Sequence, residues 1–347
     1  IVRYRPRLAW IRYGSHDLTD EEIQEAAGKF RVAIIQPWEL KAAETLKELD
    51  SDVIVLAYQC LSSVRVYEKG PIYSSGISPG QAEHLGSFAL NSSRRRIEWA
   101  GYPGHFQQEV WKPEYQERWV KTVVKRFEHT PFDGVFADND VYDDYYNLNF
   151  PLYGGEEITT IHTALDQLVR KAGEALRGVD KLLVPNIAEA RREKDRWLRH
   201  SRYGGGVEEC WMGWDNSPET RLNYRAIWQQ MRTLRAPGVS VARTPGTGEP
   251  GDPNLLLALA AAWVFAPTSD VAVSATAHDG YNAMPWREEA RWDLGLPTHA
   301  RPLNPAPGVY IRTLDKGIAA VNLSHQSRPL GRHMLEPWSG FMALKPL

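Results

Sequence analysis

Residues Phe132–Asp140 read Phe-Asp-Gly-Val-Phe-Ala-Asp-Asn-Asp. The apolar run from Gly134 to Ala137 follows Pro131 and ends abruptly at Asp138, a pattern that predicts a short parallel strand covered on both faces. Asp138 would then stand at the carboxyl end of a buried strand, where folds of alternating β and α units build their sites. A lone Asp after a strand can equally cap the next segment, so the rest of the chain decides between the two interpretations.

Seven further apolar runs of the same kind predict strands at residues 7–13, 32–36, 52–59, 181–186, 205–211, 239–243 and 270–277. Helical patterns separate them, including predicted helices at residues 193–200, 218–234 and 286–294. Ser217 is the expected N-cap of the second of these helices. Eight strand–helix units in the first 300 residues predict a (β/α)8 TIM barrel of the α/β class instead of an open sheet.

We expect the barrel to occupy residues 1–300, with a long irregular insertion at residues 61–113. Loops of this length inside a compact domain are usually functional or disordered. After Pro302 the pattern changes, because residues 308–314 and 317–322 predict a hairpin and residues 340–344 a third strand. Residues 301–347 are therefore predicted to form a short antiparallel β extension packed on the barrel.

Composition limits the classes of partner. The formal net charge of the 347 residues is −2, so the chain lacks the basic footprint of a nucleic-acid-binding protein. The longest apolar run, Leu255–Pro267, is too short to cross a bilayer and predicts a buried helix, so no membrane partner is expected. The 13 Trp and 15 Tyr residues could stack on sugar faces, although such rings also fill cores. Two cysteines, Cys60 and Cys210, are too few for a disulfide framework and could be free or paired.

Polar side chains gather at the predicted carboxyl ends of the strands, as this fold requires for a site. Two carboxylates stand out, Asp138 on the fourth strand and Glu209 on the sixth. Alternation along the sixth strand favours Glu209 over Glu208, because Gly205, Val207 and Glu209 would all face the barrel axis. The expected substrate-binding residues are Tyr13, Gln36, Tyr58, Gln59, Trp111, Asn139, Asp140, Asn186, Glu208, Trp211, Arg243 and His278.

A pair of carboxyl groups at neighbouring strand ends is what cleavage of a glycosidic bond needs. One donates a proton to the leaving oxygen, and the other acts as nucleophile or as base toward water. The simplest alternative is that one of the two only forms an ion pair with Arg243 or Arg12. A carbohydrate-binding barrel without catalysis is a second alternative.

Metal chemistry is a weaker interpretation. The run of acidic residues from Asp138 to Asp144 invites a calcium loop, but the glycine of that motif is missing. A metal-dependent hydrolase would have to use Asp138, Asp140 and His278. No Gly-x-Ser-x-Gly, His-Glu-x-x-His or Cys-x-x-Cys motif occurs, so we expect no metal and no cofactor.

The motifs resemble those of the hypothetical glycoside hydrolase families of barrel fold, especially glycosyl-hydrolase-like family 15, and more distantly the α-1,4-galactosaminidase families. The resembling segments are residues 133–139, 207–211, 111–115, 310–312 and 317–322. The resemblance implies a glycoside hydrolase in which the carboxylates ending strands four and six, Asp138 and Glu209, are the catalytic pair. This chain has Gly204-Gly-Gly206 where relatives often carry Asp-Gly, so Glu208 stays an alternative to Glu209.

The expected substrate is a polysaccharide or oligosaccharide, with the insertion at 61–113 deciding substrate choice because βα loops line the mouth of a barrel. Strand spacing puts the carboxyl groups about 5–7 Å apart, a range that includes both retaining and inverting enzymes, and we expect retention with Asp138 as nucleophile. Since the sequence begins at Ile1, we expect a removed leader and an extracellular or cell-surface location. The oligomeric state does not follow from the sequence.

Overall fold

The computed structural model describes residues 2–14, 16–235 and 237–345. In chain order its strands are β1 (Arg7–Arg12), β2 (Val32–Ile35), β3 (Ile54–Cys60), β4 (Ser63–Arg65), β5 (His105–Gln107), β6 (Gly134–Asp140), β7 (Leu182–Ile187), β8 (Gly205–Glu208), β9 (Val239–Pro245), β10 (Val271–Thr276), β11 (Leu303–Ala306), β12 (Val309–Thr313), β13 (Gly317–Asn322), β14 (Arg328–Leu330), β15 (His333–Leu335) and β16 (Ser339–Leu344). Its α-helices are α1 (Asp20–Ala26), α2 (Leu40–Leu49), α3 (Pro79–Leu85), α4 (Pro113–Phe127), α5 (Ile158–Arg177), α6 (Arg196–Ser201), α7 (Tyr224–Thr233) and α8 (Pro253–Phe265).

Eight parallel strands close into a barrel in the order β1-β10-β9-β8-β7-β6-β3-β2. The barrel strands are buried along nearly their whole length, as near-continuous apolar runs require. The helices between them lie outside the barrel, so the predicted (β/α)8 fold is confirmed. No helix among the described residues has the length and apolar character needed to cross a membrane.

Several helix boundaries differ from the prediction, in one case because two residues near the predicted start could each act as the N-cap. α7 begins at Tyr224 and its N-cap is Asn223, whose side chain accepts a hydrogen bond from the backbone N–H of Ala226, so the prediction of Ser217 as the cap was wrong. The expected helix at residues 286–294 is only a 3₁₀ turn, Glu288–Arg291. The helix predicted at 193–200 is displaced to Arg196–Ser201.

The insertion between β3 and α4 contains regular structure. β4 and β5 pair as an antiparallel hairpin, and α3 begins at a capping box in which Ser78 and Gln81 exchange hydrogen bonds with each other's backbone. Trp99 Nε1 donates to Gln107 Oε1 at 2.9 Å, and both side chains are buried. The insertion is therefore an ordered layer over the barrel mouth with its own packed side chains.

After the barrel, β11, β12, β13 and β16 form an antiparallel sheet against α8. Gly340 permits the close approach, because a Cβ there would lie 2.7 Å from Leu257 Cα. Arg312 fixes the contact by donating from Nε to the carbonyl of Val264 at 2.8 Å. The predicted antiparallel strands of the tail are present, joined by a fourth strand, β11.

Candidate active site

An extra residue in β6 decides where its carboxylates point. In the pairing with β7, two residues lie between Ala137 and Asp140, whereas only one lies between their partners Pro185 and Ile187. Asn139 takes up the difference in a left-handed conformation, with φ 67°. Such a bulge breaks the side-chain alternation of a strand and re-aims its residues. Asp138 consequently faces the barrel mouth and Asp140 the helix layer.

Asp138 is surrounded by neutral donors. Tyr58 OH donates to Oδ2 at 2.6 Å, and the Asn139 backbone N–H and Asn186 Nδ2 donate to Oδ1 at 2.8 and 3.0 Å. Arg65 donates to Tyr58 OH at 3.0 Å, one step further out. Three donors on two oxygens stabilise a negative charge on Asp138 without placing a cation against it.

Glu209 follows directly after the end of β8. Its Oε1 accepts from Tyr281 OH at 2.6 Å, and its Oε2 accepts from Asn186 Nδ2 at 2.7 Å. Burial, and then the negative charge of Asp138, raise the pKa of Glu209 above its ordinary value. A carboxyl group with a raised pKa can hold a proton at neutral pH and donate it, which is the property required of a general acid.

Asn186 joins the two carboxylates through one atom, Nδ2. It ends β7, which lies between β6 and β8 in the barrel, so its amide sits between the two strand ends. Only 7% of Asn186 is exposed. It therefore lies beneath the pair and fixes the spacing between them.

Above the pair lies a cavity of about 300 Å³. Six of the predicted site residues line it, namely Tyr13, Tyr58, Asp138, Asn139, Glu209 and His278. The strand-end rule found these residues because the carboxyl ends of barrel strands meet around one opening.

Eight predicted site residues do not line the cavity: Gln36, Gln59, Trp111, Asp140, Asn186, Glu208, Trp211 and Arg243. The amide of Gln36 donates to the carbonyls of Tyr13 and Gly14, and that of Gln59 to the carbonyls of Tyr58 and Tyr73. The NH2 groups of both side chains therefore hydrogen-bond to backbone carbonyl groups and do not face the cavity.

Glu208 lies on the other face of β8 from Glu209. It is 1% exposed, its Oε1 accepts from the backbone N–H of Cys210, and burial raises its pKa to about 8. Trp211 is fully buried, and Trp111 is packed against the core. The geometry therefore brings Glu209, and not Glu208, to Asp138.

Arg243 supports the loops around the cavity. Its guanidinium donates to the carbonyls of Glu209, Trp214 and Thr276. Arg12 lies 3.3 Å from Glu22 in an ion pair. Within the described part of the chain neither arginine pairs with Asp138 or Glu209, so the interpretation of the carboxylates as simple ion-pair partners was wrong.

Asp140 belongs to a separate buried cluster. It pairs with Arg196 at 3.0 Å and with Nδ1 of His200, and Nε2 of His200 contacts Asp166. Because its carboxylate is engaged by these partners, Asp140 cannot join Asp138 and His278 in the metal site that the metal-dependent hydrolase interpretation requires. Among the described residues, Glu209, His278 and Asp279 have ligand atoms within 4.8 Å of one another and could instead hold a metal ion.

Sequence reasoning missed eight residues that line the cavity. Four come from the insertion, namely Arg65, Trp99, Tyr102 and His105. Four come from loops after β6, β8 and β10, namely Tyr145, Tyr146, Trp214 and Asp279. The excess of aromatic residues was the available signal, but only folding of the loops shows which rings face the cavity.

The model of the family described as hypothetical glycosyl hydrolase family 15 matches residues 47–318. This match confirms the resemblance that the strand motifs indicated and the predicted enzyme class. No curated protein matches the chain.

Several solved structures are similar to this chain at low sequence identity. The cycloalternan-degrading enzyme from Trueperella pyogenes is 14% identical with a TM-score of 0.50, over 78% of this chain and 43% of that chain. Aspergillus fumigatus Ega3, in complex with galactosamine, is 11% identical with a TM-score of 0.48, over 80% and 93% of the chains. The α-amylase from Geobacillus thermoleovorans, complexed with acarbose, is 10% identical with a TM-score of 0.48, over 98% and 96%.

Proposed function

The chain is a glycoside hydrolase of hypothetical glycosyl hydrolase family 15, and we propose that it cleaves a polysaccharide or oligosaccharide with Asp138 as nucleophile and Glu209 as acid/base. The proposal includes retention of configuration at the anomeric carbon. Its substrate-binding surface is the cavity above the two carboxylates.

The observation that carries this proposal is the shared hydrogen-bond donor. Asn186 Nδ2 lies 3.0 Å from an oxygen of Asp138 and 2.7 Å from an oxygen of Glu209. The two N–H bonds of an amide diverge by about 120°, so acceptor oxygens that lie along these bonds are about 5 Å apart. Retaining glycosidases hold their carboxyl groups about 5–5.5 Å apart, whereas inverting enzymes need about 6.5–9.5 Å to admit a water.

In the first step Glu209 transfers its proton to the glycosidic oxygen while an Asp138 oxygen attacks the anomeric carbon. The bond from the anomeric carbon to the leaving oxygen breaks, and a glycosyl ester of Asp138 forms. The raised pKa of Glu209, caused by burial and by Asp138, supports its role as the acid.

In the second step water attacks the anomeric carbon, and Glu209, now ionised, takes the water proton. The ester bond breaks and returns Asp138 as a carboxylate. Tyr58 OH, the Asn139 backbone N–H and Asn186 Nδ2 again donate hydrogen bonds to this carboxylate, so the resting state is restored. Arg65 polarises the Tyr58 hydroxyl group by donating to it, which strengthens its bond to Asp138.

The experiment uses matched variants and a panel of starch, dextran, pullulan, chitosan and β-glucan. Release of reducing ends should fall by about 10²–10⁴-fold in Asp138→Ala and Glu209→Gln. The control, Glu208→Gln, changes a neighbouring carboxyl group outside the cavity and should stay within about tenfold of the wild type. Near-wild-type activity in both site variants would remove the assignment, and glycan binding without any cleavage would favour a non-catalytic barrel.

Stereochemistry is tested by proton NMR of the first product formed. An initial product with the anomeric configuration of the substrate is expected. The inverted product would overturn the nucleophilic role of Asp138 while leaving the two carboxyl groups as an acid and base pair.

We also propose that the protein acts outside the cell, since a polymer too large to be taken up must be met there. Cell fractionation with an antibody against the chain tests this location. Its presence only inside the cell would point to imported oligosaccharides as substrates.

A further inference from the structure

Six side chains that line the cavity touch one another in a closed sequence, which we call the rim. The rim consists of Tyr102, Tyr146, Tyr145, Trp214, His278 and Asp279. They come from four separate segments, the insertion after β3 and the loops after β6, β8 and β10. The carboxylates at the strand ends lie below them.

The aromatic half of the rim is continuous. Ring centroids are 5.6 Å apart between Tyr102 and Tyr146, 6.4 Å between Tyr146 and Tyr145, and 6.0 Å between Tyr145 and Trp214. Each of these pairs meets edge to face, which is a favoured geometry for aromatic rings.

The remaining contacts of the rim involve polar side chains and complete the closed ring. The Trp214 ring lies 5.1 Å from that of His278, and His278 Nδ1 lies 3.5 Å from Asp279 Oδ2. Tyr102 OH then donates to the same Asp279 oxygen at 2.6 Å. This bond joins segments 177 residues apart in the chain.

The order of contacts in the rim follows the order of the strands around the barrel. Passing from β3 to β6, β8 and β10 and back to β3 goes once around the closed sheet. The rim therefore encircles the barrel axis, and Tyr102–Asp279 is the link that spans the side formed by β1 and β2.

Several rim residues are fixed from outside. Tyr146 OH bonds to Asn139 Oδ1, and its ring stacks on Trp99 at 3.8 Å and 5°. Tyr145 OH bonds to Glu189, and Arg243 holds the Trp214 carbonyl at 3.0 Å. Locked rings define the shape of the opening before a ligand arrives.

A polysaccharide that is cut internally must enter an active site on one side and leave on the other. A closed rim leaves a pocket with one opening, and its volume of about 300 Å³ is at the lower end for small-molecule sites. We infer that this chain is an exo-acting glycosidase, which admits the end of a glycan and releases a terminal unit. The inference rests on the proposed function and specifies its substrate as the chain end.

The binding experiment does not depend on turnover. The Asp138→Asn variant is titrated onto the same polysaccharide panel before and after partial acid hydrolysis that halves the mean chain length. An end-binding pocket should bind twice as much protein, because the number of ends doubles at constant mass. Unchanged capacity would mean binding along the chain and would overturn the exo inference, leaving the catalytic proposal intact.

Other outcomes separate the two proposals. Binding that doubles, with no cleavage by the wild type, supports the end-binding pocket and overturns catalysis. Failure to bind any panel member or its fragments overturns both.

Variants of the polar link test the rim itself through the sizes of early products. Wild-type enzyme should release one short product from the start. Tyr102→Phe removes the hydrogen bond to Asp279 but keeps the ring, so a minor share of longer products should accompany the short one. Tyr102→Ala opens the rim, so products of mixed length should appear. The matched control Tyr153→Ala removes an exposed ring outside the cavity and should leave the product pattern unchanged. A mixed ladder from the wild type, or no change in Tyr102→Ala, would contradict the assignment.

Discussion

Asp138 and Asp140 are two residues apart on one strand, yet their surroundings are opposite. Asp138 faces the cavity and is held by a phenol, a backbone amide and a side-chain amide. Asp140 is fully buried against Arg196 and His200, whose charges compensate its own. Among the described residues no cation contacts Asp138, so no counter-charge compensates its carboxylate. The charge of Asp140, in contrast, is compensated by these buried ion pairs.

This comparison predicts that Asp138→Asn strongly lowers catalytic activity but leaves the stability of the folded protein nearly unchanged. Amide and carboxylate are similar in size, so the neutral donors around residue 138 can be kept with small adjustments. We expect activity to fall by about 10²–10⁴-fold, with a thermal midpoint close to that of the wild type. Reducing-end release and thermal unfolding of the same preparation measure both quantities. A large loss of stability in Asp138→Asn would contradict the expectation that this carboxylate, unlike Asp140, is not needed for folding.

Asp140→Asn should have the opposite effect. It leaves Arg196 buried without its counter-charge, and breaking a buried pair in this way costs about 3–5 kcal/mol. Denaturant unfolding gives the free energy of unfolding, and active-site titration gives the activity per folded molecule, which should change far less than in Asp138→Asn. Equal stability of Asp140→Asn and wild type would show that the cluster is not structural.

Asn186→Ala sharpens the comparison at the active site. It removes the one nitrogen that spaces the two carboxyl groups, so Asp138 loses a charge-assisted hydrogen bond and the protonated Glu209 loses a neutral one. A charge-assisted bond contributes about 1.5–3 kcal/mol, and loss of positioning should lower kcat by about 10–100-fold. If Asn186 only bound substrate, KM would rise and kcat would hold, and this split is measured by steady-state kinetics.

The buried cluster should also confine stability to a pH window. Burial opposes the charged forms, but the His200 and Arg196 charges lower the pKa of Asp140, and Asp140 raises the pKa of His200. The Asp140 contribution is present above its unfolded value near 3.8 and is lost as pH falls through its lowered folded pKa. The His200 contribution is present below about 6.5 and is lost as pH rises through its raised folded pKa.

Thermal midpoints measured across pH check this window. His200→Gln should flatten the alkaline decline and reduce the acid decline without abolishing it, because Arg196 alone then lowers the pKa of Asp140. An alkaline decline that persists unchanged in His200→Gln would assign it to another group.

Tyr281→Phe should produce the smallest effect. Its hydroxyl bond to Glu209 favours the ionised carboxylate and so lowers the pKa of Glu209 against burial and the Asp138 charge. Removing it should raise that pKa, and the alkaline limb of the pH profile of kcat/KM should move to higher pH. A limb that does not move would mean that a group other than Glu209 is the acid.

Much of the fold could be predicted because its signals are local. Apolar runs that end in polar residues gave the eight barrel strands, and their number gave the closed sheet. The prediction of helix boundaries failed where two residues close in sequence are both suitable N-caps, as are Ser217 and Asn223. The rule that sites gather at the carboxyl ends of strands correctly predicted that Asp138 and Glu209 lie close together, since only β7 separates β6 from β8 in the barrel.

The sequence by itself determined the barrel, the carboxylate at the end of β6, and the alternation that separates Glu209 from Glu208. Only the tertiary structure decided that Asp140 turns away from Asp138, because the bulge at Asn139 depends on pairing with β7. It also decided that Asn186 lies between the two carboxylates and that the rim closes over them. These features arise from contacts between segments far apart in the chain, and local sequence patterns carry no information about where loops from different strands will meet.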